Sequence, residues 1–109
     1  MDNPTLLGLV KRKLNVTWED ETTTARIEDI MESAIPILVH KLGISDSSFD
    51  FSVAGAERDL YLAYCLYEWN HCKEEFDVNY ANEIAQVRAI HEVKNYLADS
   101  EESGNEEEV

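Results

Sequence analysis

The residues of this sequence that could do redox or metal chemistry are two cysteines and three histidines, and their spacing disfavours both. Cys65 and Cys72 lie seven residues apart on one predicted helix, which separates their α-carbons by about 10 Å and excludes a bond between them within one chain. His40, His71 and His91 fall on three different predicted helices, without the paired spacing of a zinc site. We therefore expect free thiols, solvated or hydrogen-bonded histidines, and neither a metal nor a cofactor.

Serine and carboxylate chemistry is equally poorly supported. The stretch GISDS at residues 43–47 lacks the second glycine of a nucleophile elbow, and its serine follows a predicted helix instead of a strand. No phosphate-binding loop, dinucleotide fingerprint or calcium loop occurs. Acid pairs such as Glu28 with Glu32, or Glu74 with Asp77, come without any sign of a cleft that would shift a pKa. We expect solvated acidic faces and a protein that acts by binding, not as an enzyme.

Acidic residues dominate the charge and are unevenly distributed. Twenty-three acids against nine bases give a net charge of −14. Residues 98–109, ADSEESGNEEEV, carry six acids and no base, so removing them from −14 leaves −8 for residues 1–97. A body this acidic repels a phosphate backbone, and general binding to duplex DNA is therefore not expected.

The length of 109 residues and the apolar content of 44% indicate one globular domain. We place this domain at residues 1–97. The acidic tail, residues 98–109, has almost nothing to bury and is expected to be disordered. No run approaches the roughly 18 consecutive apolar residues of a membrane span. Near the N-terminus the basic residues follow the apolar ones, the reverse of a secretory signal, so the protein is expected to stay in the cytosol.

The segment from Ser52 to Glu74 is predicted to be the central helix of an all-α fold, a compact bundle of about four helices. Nearly every position from 60 to 69 is apolar or aromatic, so this helix has no broad polar face to give to water. One face is expected to hold the domain core, through Leu60, Ala63, Tyr64 and Tyr67. The aromatic surplus indicates a contact with a neighbouring subunit, for which the candidates are Tyr61, Glu68 and Trp69.

The first helix is predicted to begin at Asn3 and Pro4, typical of a cap and a first helical position, and to end near Leu14. Its last turn contains the basic run 11–13, KRK. Cations there complement the helix dipole, and they could also contact an acidic partner.

The second helix is predicted to start near Asp20 or Glu21 and to end at Gly43, which supplies a left-handed residue. Pro36 interrupts its apolar stripe and removes a hydrogen bond to the carbonyl of Glu32. We expect a kink at Pro36 instead of a break.

Two connections and a last helix complete the chain. Residues 45–52, SDSSFDFS, form the main loop, in which Phe49 and Phe51 either fold back onto the core or form an exposed contact. Residues 75–78 are predicted to be a turn. The last helix is expected to begin at Asn79 and to end near Leu97 with a loose apolar face.

This order of elements resembles the small head–tail connector, or adaptor, proteins of tailed bacteriophages, which dock on the portal after DNA packaging. The segments that resemble them are LLGLVKRKLNV, ETTTARIEDIMESAIPILVHKLGI and AERDLYLAYCLYEWNHC, and the resemblance covers roughly Thr5 to Leu97. Most of it is carried by residues 34–44 and by the YEWN sequence at residues 67–70. Pro36 is less typical of the family.

The resemblance implies a protein without enzymatic activity that assembles, usually as a twelvefold ring of its own copies, on the portal protein. Such a ring extends the DNA channel and presents a platform for a further head-completion or tail protein. The protein would be made in the bacterial cytoplasm and located in the virion, at the head–tail junction, away from any membrane. An acidic ring would let genomic DNA pass without specific binding, and heterologous subunit contacts would close it.

Terminal segments and loops of such adaptors commonly become ordered on docking. The resemblance therefore implies that the loop and the tail contact the portal or a neighbouring copy, and the candidate residues are Phe49, Phe51, Asp99, Glu101 and Glu102.

The alternative function is an acidic helical regulator, such as a DNA-mimicking inhibitor or an antitoxin that occupies a nucleic-acid site on a host protein. A mimic requires an ordered array of surface carboxylates. Much of the acid in this chain instead belongs to the tail.

Overall fold

A computed structural model describes the backbone of residues 5–45 and 49–108, and the side chains of these residues up to Ala98. Within that part of the chain the predicted all-α class is confirmed, with five α-helices, one 3₁₀ turn and no strand. The elements are α1 (Leu6–Lys13), α2 (Glu21–Lys41), α3 (Ala56–Trp69), the 3₁₀ turn (Lys73–Glu75), α4 (Phe76–Asn79) and α5 (Ala81–Glu108).

Side-chain caps begin the first two helices. The hydroxyl of Thr5 accepts a hydrogen bond from the backbone N–H of Gly8 at 3.0 Å, and the Asp20 carboxylate accepts one from Thr23 N–H at the same distance. Each cap satisfies a donor that the first helical turn leaves without a partner. The predicted start of α2 near Asp20 or Glu21 is confirmed, whereas the predictions for Asn3 and Pro4 fall outside the described residues.

The first three long helices end in the same backbone motif. The residue after the cap is left-handed in each: Asn15 with φ 60°, Gly43 with φ 67° and His71 with φ 61°. In α2, Gly43 N–H donates to the carbonyl of His40, and Ile44 N–H donates to that of Val39. This pair of bonds defines a Schellman motif. The prediction for Gly43 is confirmed, and the other two helices reach the same geometry without glycine.

Helix α3 is the centre of the bundle, as predicted, and packs against α1, α2 and α5. Leu60, Ala63 and Tyr64 are buried on it, and Tyr67 is half-buried. Around this helix lie the fully buried side chains of the other elements, which are Val10, Ile27, Ala34, Leu38, Leu42 and Phe76. One continuous apolar core therefore holds the domain together.

The start of α3 differs from the prediction. Ser52 does not cap it, because the Asp50 carboxylate accepts the backbone N–H of Ser52 at 2.9 Å and also its hydroxyl. The helix begins at Ala56 after Gly55, which has a φ of 155°. Glycine adopts that angle without the strain that a side chain would add.

Helix α2 runs without interruption through Pro36, in agreement with the expectation that this proline does not break it. Pro36 is exposed, and the neighbouring Ala34 and Leu38 are fully buried. Glu32, whose carbonyl group would otherwise accept a hydrogen bond from residue 36, is also exposed. Water can therefore replace the hydrogen bond that the proline removes.

Two findings at the end of the chain differ from prediction. The expected turn at residues 75–78 is part of a 3₁₀ turn and of α4, whose Phe76 is fully buried, and α5 starts at Ala81, after Asn79. Helix α5 also continues to Glu108, far past the expected end near Leu97. The predicted division between the domain, residues 1–97, and the acidic tail, residues 98–109, stays a prediction.

Candidate functional site

The thiols and imidazoles form no common site. Cys65 and Cys72 are free, as predicted, and burial raises the pKa of the Cys65 thiol to about 12. His40 and His71 are exposed, and His91 is buried with a carboxylate partner. Among the described residues, no group of three or more histidine, cysteine or acidic side chains could hold a metal ion.

Polar side chains of α5 fix this helix to the C-terminal end of α2. Arg88 donates from Nη1 to the carbonyls of His40 and Lys41, at 3.3 and 3.2 Å. Asn95 donates to the carbonyl of Gly43 at 3.2 Å. These donors satisfy carbonyl groups at the C-terminus of α2, and they were not recognised in the sequence, where a helix end offers no signal for its distant partners.

Phe49 and Phe51 fold back onto the core, which is the first of the two predicted alternatives. Phe51 is 2% exposed and stacks on Tyr61, with 4.9 Å between ring centroids. Phe49 is half-buried and packs edge-on against both Phe51 and His91. In this conformation Phe51 cannot contact the portal, as was predicted for it, because its ring is packed inside the domain. Phe49 keeps part of its ring accessible.

The prediction that Tyr61 contacts a neighbouring subunit also disagrees with this conformation. Its side chain is fully buried, and its hydroxyl donates to the backbone carbonyl of Met31 at 2.9 Å. Burial raises the pKa of this phenol well above its usual range. The hydroxyl satisfies a carbonyl inside α2, so Tyr61 joins two helices of one chain.

Trp69 and Glu68 remain at the surface end of α3. Trp69 is half-buried, and the Arg26 guanidinium lies 4.3 Å from its ring centroid. Arg26 also donates to the Trp69 carbonyl at 3.0 Å, and its Nη2 lies 3.2 Å from Nε2 of His71. Stacking of this kind holds the indole in place without enclosing it. Trp69 therefore keeps an accessible edge for a partner.

Glu68, beside Trp69, has one buried carboxylate oxygen, Oε2, without a hydrogen-bond partner among the described residues. Burial first, and then the nearby Glu68 carboxylate, raise the pKa of the Tyr64 phenol. A carboxylate oxygen removed from water without a donor is costly, so a donor from a neighbouring chain would stabilise this end of α3.

Four exposed apolar side chains lie close together in sequence on α5. We define its outer stripe as Ile90, Val93, Tyr96 and Leu97, which are 54%, 58%, 70% and 54% exposed. At about 100° of rotation per residue, Ile90 lies about 60° from the buried Val87, and Val93, Tyr96 and Leu97 lie further round the helix. The apolar side chains of α5 therefore continue from the face that the bundle covers to a face that is exposed.

The sequence contained the signal for this stripe. The apolar positions of the last helix cover a wide arc, and a helix that is apolar around much of its circumference is normally buried around much of it. The sequence predicts one loose apolar face for α5, and of its apolar side chains Ile84 and Val87 pack against the bundle.

The tail residues Asp99, Glu101 and Glu102 belong to the backbone of α5, and their side chains fall outside the described residues. Their predicted contacts stay predictions. Directly before them, the outer stripe ends at Leu97, so an apolar surface and a strongly acidic sequence adjoin on the same helix.

Comparisons of this chain with protein-family models, with curated proteins and with solved structures found no match. No helix in the described part of the chain combines the length and apolar character required to cross a membrane.

Proposed function

We propose that this chain is a head–tail connector of a tailed bacteriophage, a protein without enzymatic activity that assembles as a ring on the portal and extends the DNA channel. The observation that carries the proposal is the outer stripe of α5. Exposed contiguous apolar surface on a small protein indicates an interaction site, and an assembly of several copies on a portal would cover it.

The charge of the chain supports the same proposal. With a net charge of −14 per copy, a ring would line or flank its channel with like charge toward DNA phosphates. Repulsion would let the genome slide through instead of adhering. The ring would then offer its far side to a further head-completion or tail protein.

The surface end of α3 is proposed as a second contact with a neighbouring copy or the portal. Trp69 offers a partly exposed aromatic ring held by Arg26, and Glu68 offers a carboxylate oxygen without a donor. Aromatic side chains and desolvated charges of this kind dominate the energy of protein interfaces. Of the three subunit contacts expected from the sequence, Glu68 and Trp69 are therefore kept in this proposal and Tyr61 is dropped.

Co-expression with the portal protein from the phage or prophage that carries this gene tests the proposal. We expect the purified portal to retain a ring of this chain, visible by negative-stain imaging. Val93→Glu should abolish retention, because a charge in the stripe opposes its burial, whereas Glu92→Gln, an exposed change at the next position, should not. A chain that ignores the portal and stays monomeric would overturn the proposal.

A second candidate function, the acidic regulator or DNA mimic, is favoured by one observation. Four acidic residues, Glu19, Asp20, Glu21 and Glu28, line a shallow notch at the start of α2 together with Lys11. An ordered group of carboxylates is what a mimic requires. Competition with duplex DNA for a host DNA-binding enzyme would support this function. Lack of such competition, together with portal binding, would leave the connector as the function.

A further inference from the structure

We infer that the contact between Arg26 and His71 is a pH-sensitive switch that covers one face of the Trp69 ring while the imidazole is neutral and uncovers it when the imidazole is protonated. The use of the switch rests on the proposed function, since Trp69 is one of the contacts proposed there. The switch itself belongs to the single chain, and it acts whether or not a partner is bound.

The Nη2 atom of Arg26 carries two hydrogens and lies close to two acceptors. The carbonyl oxygen of Trp69 is 3.0 Å from it, and Nε2 of His71 is 3.2 Å from it. A guanidinium group donates hydrogen bonds and cannot accept them. Nε2 of His71 is therefore the acceptor and carries no hydrogen, so this geometry requires a neutral imidazole with its proton on Nδ1.

These two hydrogen bonds hold the guanidinium over the indole. The Cζ atom of Arg26 lies 4.3 Å from the centroid of the Trp69 ring, a distance at which a cation is attracted to the face of an aromatic ring. Arg26 and His71 are both exposed, so the apolar core does not fix either side chain. The position of the guanidinium therefore depends on the stacking and on the two acceptors.

Protonation of His71 removes one of these acceptors. The added proton occupies the lone pair of Nε2, and the imidazolium then lies beside a guanidinium that keeps its charge at every physiological pH. The lost hydrogen bond and the repulsion between two cations both separate the two side chains. Because histidine changes its charge between about pH 5 and pH 8, mild acid is enough to release Arg26 from this position.

The other charged groups around His71 favour the same movement. His71 lines a cleft of about 250 Å³ together with Glu68 of α3 and with Lys73 and Glu74 of the 3₁₀ turn. Two carboxylates and one ammonium group attract an imidazolium on balance. The Oε2 atom of Glu68 is buried and has no donor among the described residues, so it can accept a hydrogen bond from the protonated ring. On α2, the charged group that contacts the imidazole is Arg26.

Acrylamide quenching of tryptophan fluorescence measures how much of the Trp69 ring the solvent reaches. The chain has two tryptophans, so Trp18→Phe leaves Trp69 as the reporter and serves as the parent protein. Its quenching constant should rise about twofold between about pH 7.5 and about pH 5.5, because departure of the guanidinium uncovers one face of the ring. Circular dichroism at both pH values checks that the fold is kept.

Two variants of this parent separate the switch from other effects of pH. His71→Asn removes the titrating group and retains a residue type that tolerates the left-handed backbone, so its quenching constant should not change with pH, although His40 and His91 are still present. Arg26→Gln should give the high quenching constant at both pH values, because no guanidinium covers the ring.

Three results would overturn the inference. They are a parent protein whose quenching is the same at both pH values, a His71→Asn variant that responds to acid as the parent does, and an Arg26→Gln variant that keeps the low constant of the parent at neutral pH. Failure of the proposed function has a different signature. Quenching that responds to pH in a chain that ignores the portal would support the switch and remove the connector function. A chain that forms rings on the portal while its quenching ignores pH would support the connector function and remove the switch.

Discussion

The imidazole of His91 on α5 lies 2.9 Å from the carboxylate of Glu57 on α3, measured from Nε2 to Oε2. The exposed fraction of the two side chains is 8% and 23%. Phe49 packs edge-on against the imidazole with 5.9 Å between centroids. One polar contact thus joins the last helix, the central helix and the main loop.

Removing this imidazole should destabilise the domain. His91→Ala would leave the partly buried Glu57 carboxylate without its partner, at a cost of about 1–3 kcal/mol in the free energy of unfolding. Urea denaturation followed by circular dichroism measures the difference. Glu92→Gln is the matched control on the same helix, since it removes only an exposed pair with Arg88, and surface pairs contribute about 0–1 kcal/mol. An equal loss of unfolding free energy in the two variants would show that the buried His91–Glu57 contact stabilises the domain no more than an exposed ion pair does.

Stability should fall on the alkaline side. Burial raises the pKa of Cys65 from 9.0 to about 12 and raises that of Tyr61 and Tyr64 above their usual value. The unfolded chain therefore loses these protons at lower pH than the folded chain. The stabilisation is complete below about pH 9 and is lost as the pH rises toward the folded pKa values.

Urea denaturation between about pH 7 and pH 11 measures this alkaline loss. Cys65→Ala should be less stable at neutral pH because of the lost packing, but its decline should begin about one pH unit higher, at the usual tyrosine pKa. A wild-type free energy of unfolding that stays constant to about pH 11 would contradict the burial of these groups.

The end of α2 depends on the left-handed conformation of Gly43. In Gly43→Ala, the added carbon would carry the strain of a φ of +67° and would lie 3.2 Å from Cγ of Arg88. The expected loss is about 1–2 kcal/mol in the free energy of unfolding. His71 holds the same position in α3 with a φ of 61°, so His71→Gly should instead be neutral or stabilising, by up to about 1 kcal/mol. Thermal and urea denaturation of both variants check the opposite signs.

Local rules predicted the parts of this fold that depend on neighbouring residues. Asp20 caps α2 and Gly43 ends it because a short polar side chain and a residue without a Cβ suit those backbone positions. The same rules missed Asn15 and His71, since both hold a left-handed φ without the glycine that signals it. At both positions the backbone hydrogen bonds that end the helix, Val16 N–H to the Lys11 carbonyl and Cys72 N–H to the Tyr67 carbonyl, are formed despite the strained φ.

Tertiary choices were less predictable. Helix α3 is apolar almost all round, so its sequence does not say which aromatic side chain faces water. The structure buries Tyr61 fully and leaves Trp69 half-buried beneath Arg26. In helix α5, Arg88 and Asn95 anchor one side to the end of α2, and the apolar side chains extend beyond the side that the bundle covers. The periodicity of apolar residues identifies a helix, but it does not show which of its faces are covered by the same chain and which by a partner.

The mass of the complex between this chain and its cognate portal tests the central claim most directly. Native mass spectrometry of the co-expressed complex should give one copy of this chain for each portal subunit, and the Val93→Glu chain should give portal alone. A portal that carries no copy of the wild-type chain, while the chain remains monomeric, would contradict the connector function.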